Sequence, residues 1–169
     1  AEFKLNYLES FMTIKVGDKI PEGTLAVMGA EGPAGITTAD IFSGKKVVLF
    51  AVPGAFTPTC SVAHMPGFVV KYDEIIAKGV DTVACLSVND AFVMNAWKDA
   101  SNAENILMLA DGNCTFTTSL GLELDGTGFG MGMRSKRFAI IVNDGVVELL
   151  NVDESGFELS SAEAVLEAL

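Results

Sequence analysis

The chain has 169 residues, half of them hydrophobic and a fifth charged, with 22 acidic against 11 basic side chains and a formal net charge of −11. That length suits one domain with a sizeable core, and the composition is that of a globular chain rather than a disordered one. The acidic balance argues against an electrostatically driven partnership with nucleic acid or an anionic membrane surface. No apolar run reaches the roughly 20 residues of a membrane span.

Met12-Thr13-Ile14-Lys15-Val16-Gly17-Asp18 reads as a natural start. Residues 1–11 then read as an added extension or the remnant of a transit segment, without the apolar stretch of a secretory signal. Residues 12–169 form the single expected domain. A short strand is expected near Thr24–Met28, a Gly/Pro-containing turn or loop over Gly29–Gly35, and a helical turn over Thr38–Phe42. The apolar run Val47–Val52 reads as a buried strand that Pro53-Gly54 ends. Val62, Met65, Val69, Tyr72, Ile75 and Ile76 then recur at helical spacing, which predicts a long helix from about Cys60 to Lys78 with Gly79 as its stop. Pro66 lacks a backbone donor and should kink that helix one turn past the cysteine.

Val80–Val88 is the next strand, so strand, helix and strand make a parallel βαβ unit. Asn89-Asp90 caps a helix bearing Phe92, Val93, Ala96 and Trp97, and Ile106–Ala110 is a further strand. Arg137–Val142 and Val146–Asn151 flank Asn143-Asp144-Gly145, a hairpin signal that makes the sheet mixed. A last helix spans Ser161–Leu169. The fold class is α/β, a mixed central sheet with helices on both faces.

The three cysteines, Cys60, Cys85 and Cys114, contain no C-x-x-C and offer no metal-ligand spacing, and His64 is the single histidine. This usage fits a reducing compartment, hence a cytoplasmic location, or an organellar one if residues 1–11 are a transit remnant. Cys60 falls in the first turn of a long helix, where free N–H groups and the helix dipole favour a thiolate. That makes Cys60 a candidate nucleophile. Thr57 supplies a hydroxyl three residues earlier, and Pro53 can shield the sulfur from bulk water. Among Arg134, Lys136 and Arg137, the best placed cation is Arg137, because it opens a strand and is held by the sheet.

Pro53-x-x-x-Thr57-x-x-Cys60 matches the peroxiredoxin signature, and the surrounding sequence resembles the type II, five-type branch of that family. The resemblance rests on four blocks in order: Val52 to Cys60 with His64-Met65-Pro66-Gly67-Phe68, Ser87-Val88-Asn89-Asp90, Phe92-Val93-Met94 with Trp97, and Arg134 to Ala139. It covers residues 12–169. It implies a thioredoxin-like fold and reduction of hydrogen peroxide and alkyl hydroperoxides. Cys60 would be the peroxidatic cysteine, Thr57 and Arg137 its polar partners, and Pro53 its shield. Cleaving the weak O–O bond takes a thiolate in line with it and donors for the departing oxygen. The product on Cys60 is a sulfenic acid. The resemblance further implies thioredoxin, or glutaredoxin with glutathione, as reductant, a homodimer formed through the active-site end, and no metal, haem or flavin cofactor.

Part of the family carries a resolving cysteine before the last helix, where this chain has Asp153-Glu154-Ser155-Gly156-Phe157-Glu158-Leu159-Ser160-Ser161. Cys85 is the alternative resolving thiol, yet it reads better as a small buried strand residue, which leaves resolution to external thiols. Cys114 reads as structural. His64 and Arg134 are candidate supports of the site, and Phe56 and Phe129 candidate walls of a substrate pocket, the latter in the glycine-rich loop Gly126–Gly132. That loop lacks the Lys-Ser/Thr of a phosphate loop. The competing reading is a peroxide-responsive sensor or relay in which Cys60 oxidation controls partner binding. A dithiol oxidoreductase is rejected, because Thr57 stands where its first cysteine would be.

Overall fold

The computed structural model describes residues 13–169; the extension expected over residues 1–11 lies outside the described residues. Hydrophobic alternation sets the layers. In β3 (Lys46–Val52), Val48, Phe50 and Val52 point into one apolar cluster, and Val47, Leu49 and Ala51 into another. A strand buried on both faces needs helices on both faces. The first cluster is completed by α2 (Met65–Ala77), α3 (Ala91–Ala100) and α5 (Ala162–Ala168). The second is closed by α1 (Thr38–Phe42) and α4 (Thr115–Ser119).

The seven strands run across the sheet in the order β2 (Gly32–Thr37), β1 (Thr24–Gly29), β5 (Leu107–Ala110), β4 (Thr82–Ser87), β3, β8 (Arg137–Asn143), β9 (Val146–Asp153). At its centre β3 pairs in parallel with β4 (Thr82–Ser87), which pairs in parallel with β5 (Leu107–Ala110). The other neighbours are antiparallel, so the sheet is mixed as the sequence predicts. β8 (Arg137–Asn143) and β9 (Val146–Asp153) form the expected hairpin, with Asp144 and Gly145 at φ 48° and 79°. Both central residues at positive φ match the right-handed twist of the flanking strands. A small separate ladder joins β6 (Glu123–Asp125) to β7 (Met133–Ser135) across the glycine-rich loop.

Two expectations change. The turn or loop expected over Gly29–Gly35 is a turn only at residues 30–31: β1 (Thr24–Gly29) pairs with β2 (Gly32–Thr37) around it in a hairpin. Pro33 is tolerated there, opposite Met28, because β2 is an edge strand and an edge position can do without a donor. Nor is there one kinked helix from Cys60 to Lys78. Cys60–His64 is a π-helical turn, in which the Met65 N–H reaches back to the Cys60 carbonyl, and the α-helix proper begins at Met65. Pro66 therefore sits in the first turn of α2, where a missing N–H costs little. The distortion precedes the proline and falls on the cysteine.

Phe50 and Phe68 stack beneath this turn with centroids 4.1 Å apart and rings within 2° of parallel. Both are fully buried. Replacing Phe68 with Ala should cost about 3–5 kcal/mol of stability. Urea unfolding should show the loss as a lower midpoint at unchanged slope.

Candidate active site

The site grows from the end of β3. Beyond Val52 the chain must turn sharply to start a helix, and two hydrogen bonds and one left-handed residue fix that turn. The Ala55 N–H donates to Asn89 Oδ1 at 3.0 Å, which ties the loop to the residues after β4. The Thr57 hydroxyl donates to the Gly54 carbonyl at 2.7 Å, which leaves its lone pairs free to accept. Phe56 takes φ 65°, a left-handed conformation that costs a non-glycine residue roughly 1–2 kcal/mol. Gly54 is closely packed: a Cβ there would lie 3.1 Å from Thr57 Cγ2 and 3.3 Å from Arg134 Nη1, so those side chains would have to shift. The Trp97 indole N–H then anchors the start of the helix by donating to Ser61 Oγ at 3.0 Å.

Cys60 is buried at the bottom of this turn. Arg137 opens β8 on the same face of the sheet as Ala139 and Ile141, which pack in the cluster that holds Cys60. Its guanidinium is divided between two partners. One nitrogen, Nη2, donates to Cys60 Sγ at 3.1 Å, and the other, Nη1, lies 2.8 Å from His64 Nδ1. Arg is a cation at every relevant pH, so Nη1 must donate and His64 Nδ1 must accept. The second ring nitrogen, Nε2, then carries the proton and donates to the Ser160 carbonyl at 2.9 Å. Burial and the Arg137 charge hold the His64 pKa at about 3, so the ring is neutral.

The structure thus brings Cys60, Arg137 and His64 into direct contact, with Pro53 and Thr57 in the loop that leads from β3 to Cys60. A cavity of about 320 Å³ is lined by Pro53 and Arg137 of this set, with Thr59, Leu124 and Phe157 among others, whereas Cys60, His64 and Thr57 do not line it. Arg134 does not reach the sulfur. It donates through Nε to the Met131 carbonyl at 3.0 Å and through Nη1 to the Val88 carbonyl at 3.2 Å, bracing the glycine-rich loop against the residues after β4. Phe56 and Phe129 are 54% and 87% exposed, and neither lines this cavity. Phe157, which sequence reasoning missed, stands there instead. Its ring lies 5.0 Å from that of His64, and Arg137 Cζ sits 5.9 Å from its centroid. Nothing in the local sequence marks it.

Cys85 is opposite Phe50 in the β3–β4 ladder and fully buried. Burial, and then the nearby Cys60 charge, push its thiol pKa well up. Burial also raises that of Cys114, which precedes α4 at φ 62°. Neither is arranged as a nucleophile. Among the described residues no His, Cys, Asp and Glu cluster could hold a metal ion, and no helix is long and apolar enough to cross a membrane.

The Redoxin family profile matches residues 15–166. A rice protein, peroxiredoxin-2E-2, chloroplastic, is 52% identical over 164 residues, covering 93% of this chain and 73% of that one. Peroxiredoxin-2B of Arabidopsis thaliana is 47% identical over 161 residues, covering 92% of this chain and 98% of its own length. The chain belongs to the peroxiredoxin family. Its relatives place it in the type II, five-type branch of the thioredoxin-like superfamily, and it is a thiol-dependent peroxidase. A crystal structure of reduced Prx3 from Vibrio vulnificus in complex with hydrogen peroxide superposes with a TM-score of 0.89 at 55% identity, covering 92% of this chain and 99% of that one. The peroxiredoxin fold, the mixed sheet and the peroxidase class expected from the sequence are all found.

The His64 contacts carry a pH signature. Its folded pKa of about 3 lies below the ordinary 6.5, so the folded protein binds less proton than the unfolded chain between those values. The stability linked to neutral His64 is complete above pH 6.5 and is lost as pH falls towards 3, by at most about 1.4 kcal/mol per pH unit. Urea unfolding at a series of pH values between about 6.5 and 4 should show this slope. A His64→Gln variant should flatten it.

Proposed function

We propose that Cys60 is the peroxidatic nucleophile, with Arg137, Thr57 and Pro53 as its partners. The observation that carries this reading is the 3.1 Å contact from Arg137 Nη2 to Cys60 Sγ. A fixed positive charge at that distance favours the thiolate, and the planar fork of an arginine can serve the sulfur and a bound oxygen together. The thiolate lone pair attacks one peroxide oxygen and the O–O bond breaks. The departing oxygen takes a proton and leaves as water or an alcohol, and Cys60 becomes a sulfenic acid. The Thr57 oxygen, its own proton committed to Gly54, accepts from the peroxide O–H. The N–H groups of Thr59 and Cys60 precede the first helical bond, from the Ser61 N–H to the Thr57 carbonyl, and are suited to hold the other oxygen.

An external thiol then attacks the sulfenic sulfur, releasing water and leaving a mixed disulfide. A second thiol restores Cys60 and departs as a disulfide. Three features favour outside reductants: Cys85 and Cys114 are buried with raised pKa values, and the segment from Asp153 to Ser161 has no cysteine. Glutaredoxin with glutathione, or thioredoxin, has the required chemistry. Hydrogen peroxide is the first substrate to test, since a relative's structure holds it. The exposed apolar residues Phe56, Val62 and Phe92 suit a homodimer formed through the active-site end. The thiol cycle requires a reducing compartment, the cytoplasm or, in line with the name of the rice relative, the chloroplast.

Cys60→Ser should abolish peroxide consumption, whereas Cys85→Ser should retain turnover with glutaredoxin and glutathione to within about twofold. Peptide mass spectrometry after one equivalent of hydrogen peroxide should find the oxidation, or the glutathione adduct, on Cys60. A Cys60–Cys85 disulfide formed at the rate of turnover would contradict the external-thiol cycle.

A further inference from the structure

Arg137 and Asp153 are Cα partners in the β8–β9 ladder. Directly opposed residues of an antiparallel pair point to the same face, and opposite charges there usually attract. Both side chains are buried, yet neither serves the other. The guanidinium is spent on Cys60 and His64. The Asp153 carboxylate accepts four hydrogen bonds from the segment that follows it: the Glu158 N–H at 3.1 Å, the Leu159 N–H at 2.9 Å, the Ser160 N–H at 2.9 Å and the Ser160 hydroxyl at 2.6 Å. Burial alone would raise its pKa, but the bonds from Ser160, Leu159 and Glu158 outweigh burial and hold the carboxyl below its ordinary value. The other charges nearby are committed elsewhere, Lys136 and Glu154 to each other at 3.1 Å.

The clamp has a consequence for the sulfur. It fixes Ser160, whose carbonyl accepts from His64 Nε2. That bond sets the tautomer in which Nδ1 is a bare acceptor, and only this form can hold Arg137 Nη1. With Nη1 held, Nη2 is aimed at Cys60. We propose that Asp153 is a positioning residue for peroxide reduction, acting through Ser160 and His64 to fix Arg137 on the Cys60 thiolate. The inference rests on the assignment of Cys60 and Arg137 made above. It explains why an ionised carboxylate stands opposite the essential cation without drawing it away from the sulfur.

Asp153→Asn tests it, because the amide keeps the shape but replaces one acceptor oxygen with a donor facing N–H groups. The second-order rate constant with hydrogen peroxide should fall roughly tenfold, as loss of an outer support of a reactive group commonly costs. The ultraviolet thiolate absorbance at neutral pH should fall, and the acid limb of the pH–rate profile should move up. In a His64→Gln background the same change should have little further effect. A merely structural Asp153 would lower the melting temperature and leave the absorbance and pH profile unmoved, and that result overturns the proposal. An equal loss in the wild-type and His64→Gln backgrounds overturns it too. Should Asp153→Asn fail to fold, Ser160→Ala removes only one donor and decides the matter by the same readouts, with a drop of about threefold expected and no change contradicting the proposal. Cys60→Ser separates the two levels: activity surviving that change refutes the site itself, whereas a dead Cys60→Ser beside an unaffected Asp153→Asn refutes only the role of Asp153.

Discussion

The site depends on how one guanidinium is divided. Arg137 has a planar fork, and each arm meets a different acceptor, Cys60 Sγ at 3.1 Å and His64 Nδ1 at 2.8 Å. A lysine could supply the charge but not the two fixed directions. Most of the surrounding structure serves that geometry. The central strands set the height of β8, the π-turn sets the height of Cys60 and His64, and the stacked rings of Phe50 and Phe68 support the turn from below. The Phe50 ring also lies 5.1 Å from that of His64, so the polar contacts rest on a rigid apolar floor.

Burial makes the arrangement consequential. Cys60 and His64 are fully enclosed and Arg137 nearly so. An unpartnered cation or thiolate there would be costly, so every polar atom must find a partner. Among the described residues none of the buried side-chain nitrogen and oxygen atoms lacks one. The same enclosure keeps His64 neutral and pushes the Cys85 thiol up, whereas Cys60, equally buried, has the Arg137 guanidinium against its sulfur. Selectivity between the thiols is thus a matter of environment rather than of residue type.

Much of this was legible in the sequence, because the informative signals are local. The apolar run before Pro53, the spacing of Thr57 and Cys60, the Asp144-Gly145 turn and the position of Arg137 at a strand start all rest on short-range patterns. What escaped depends on register and on backbone detail. The two-residue turn alone would set Val152 opposite Arg137. A β-bulge between Ile141 and Val142 moves the pairing by one residue, and so brings Asp153 onto the arginine's face. No composition signal announces that bulge. The π-turn is equally silent, since a helix-period pattern cannot distinguish one widened turn from a proline kink further along. Phe157 and Ser160 enter the site only because the segment after β9 folds back over it, a long-range event.

The most direct test of the account is the reaction of Arg137→Lys with hydrogen peroxide, followed by rapid mixing at neutral pH on protein shown to be folded. Lysine preserves the charge and removes the fork. If the divided guanidinium is the organising contact, the rate constant should drop by at least roughly tenfold and the thiolate absorbance should fall with it. A variant that reacts at the wild-type rate would contradict the account, because charge alone would then suffice.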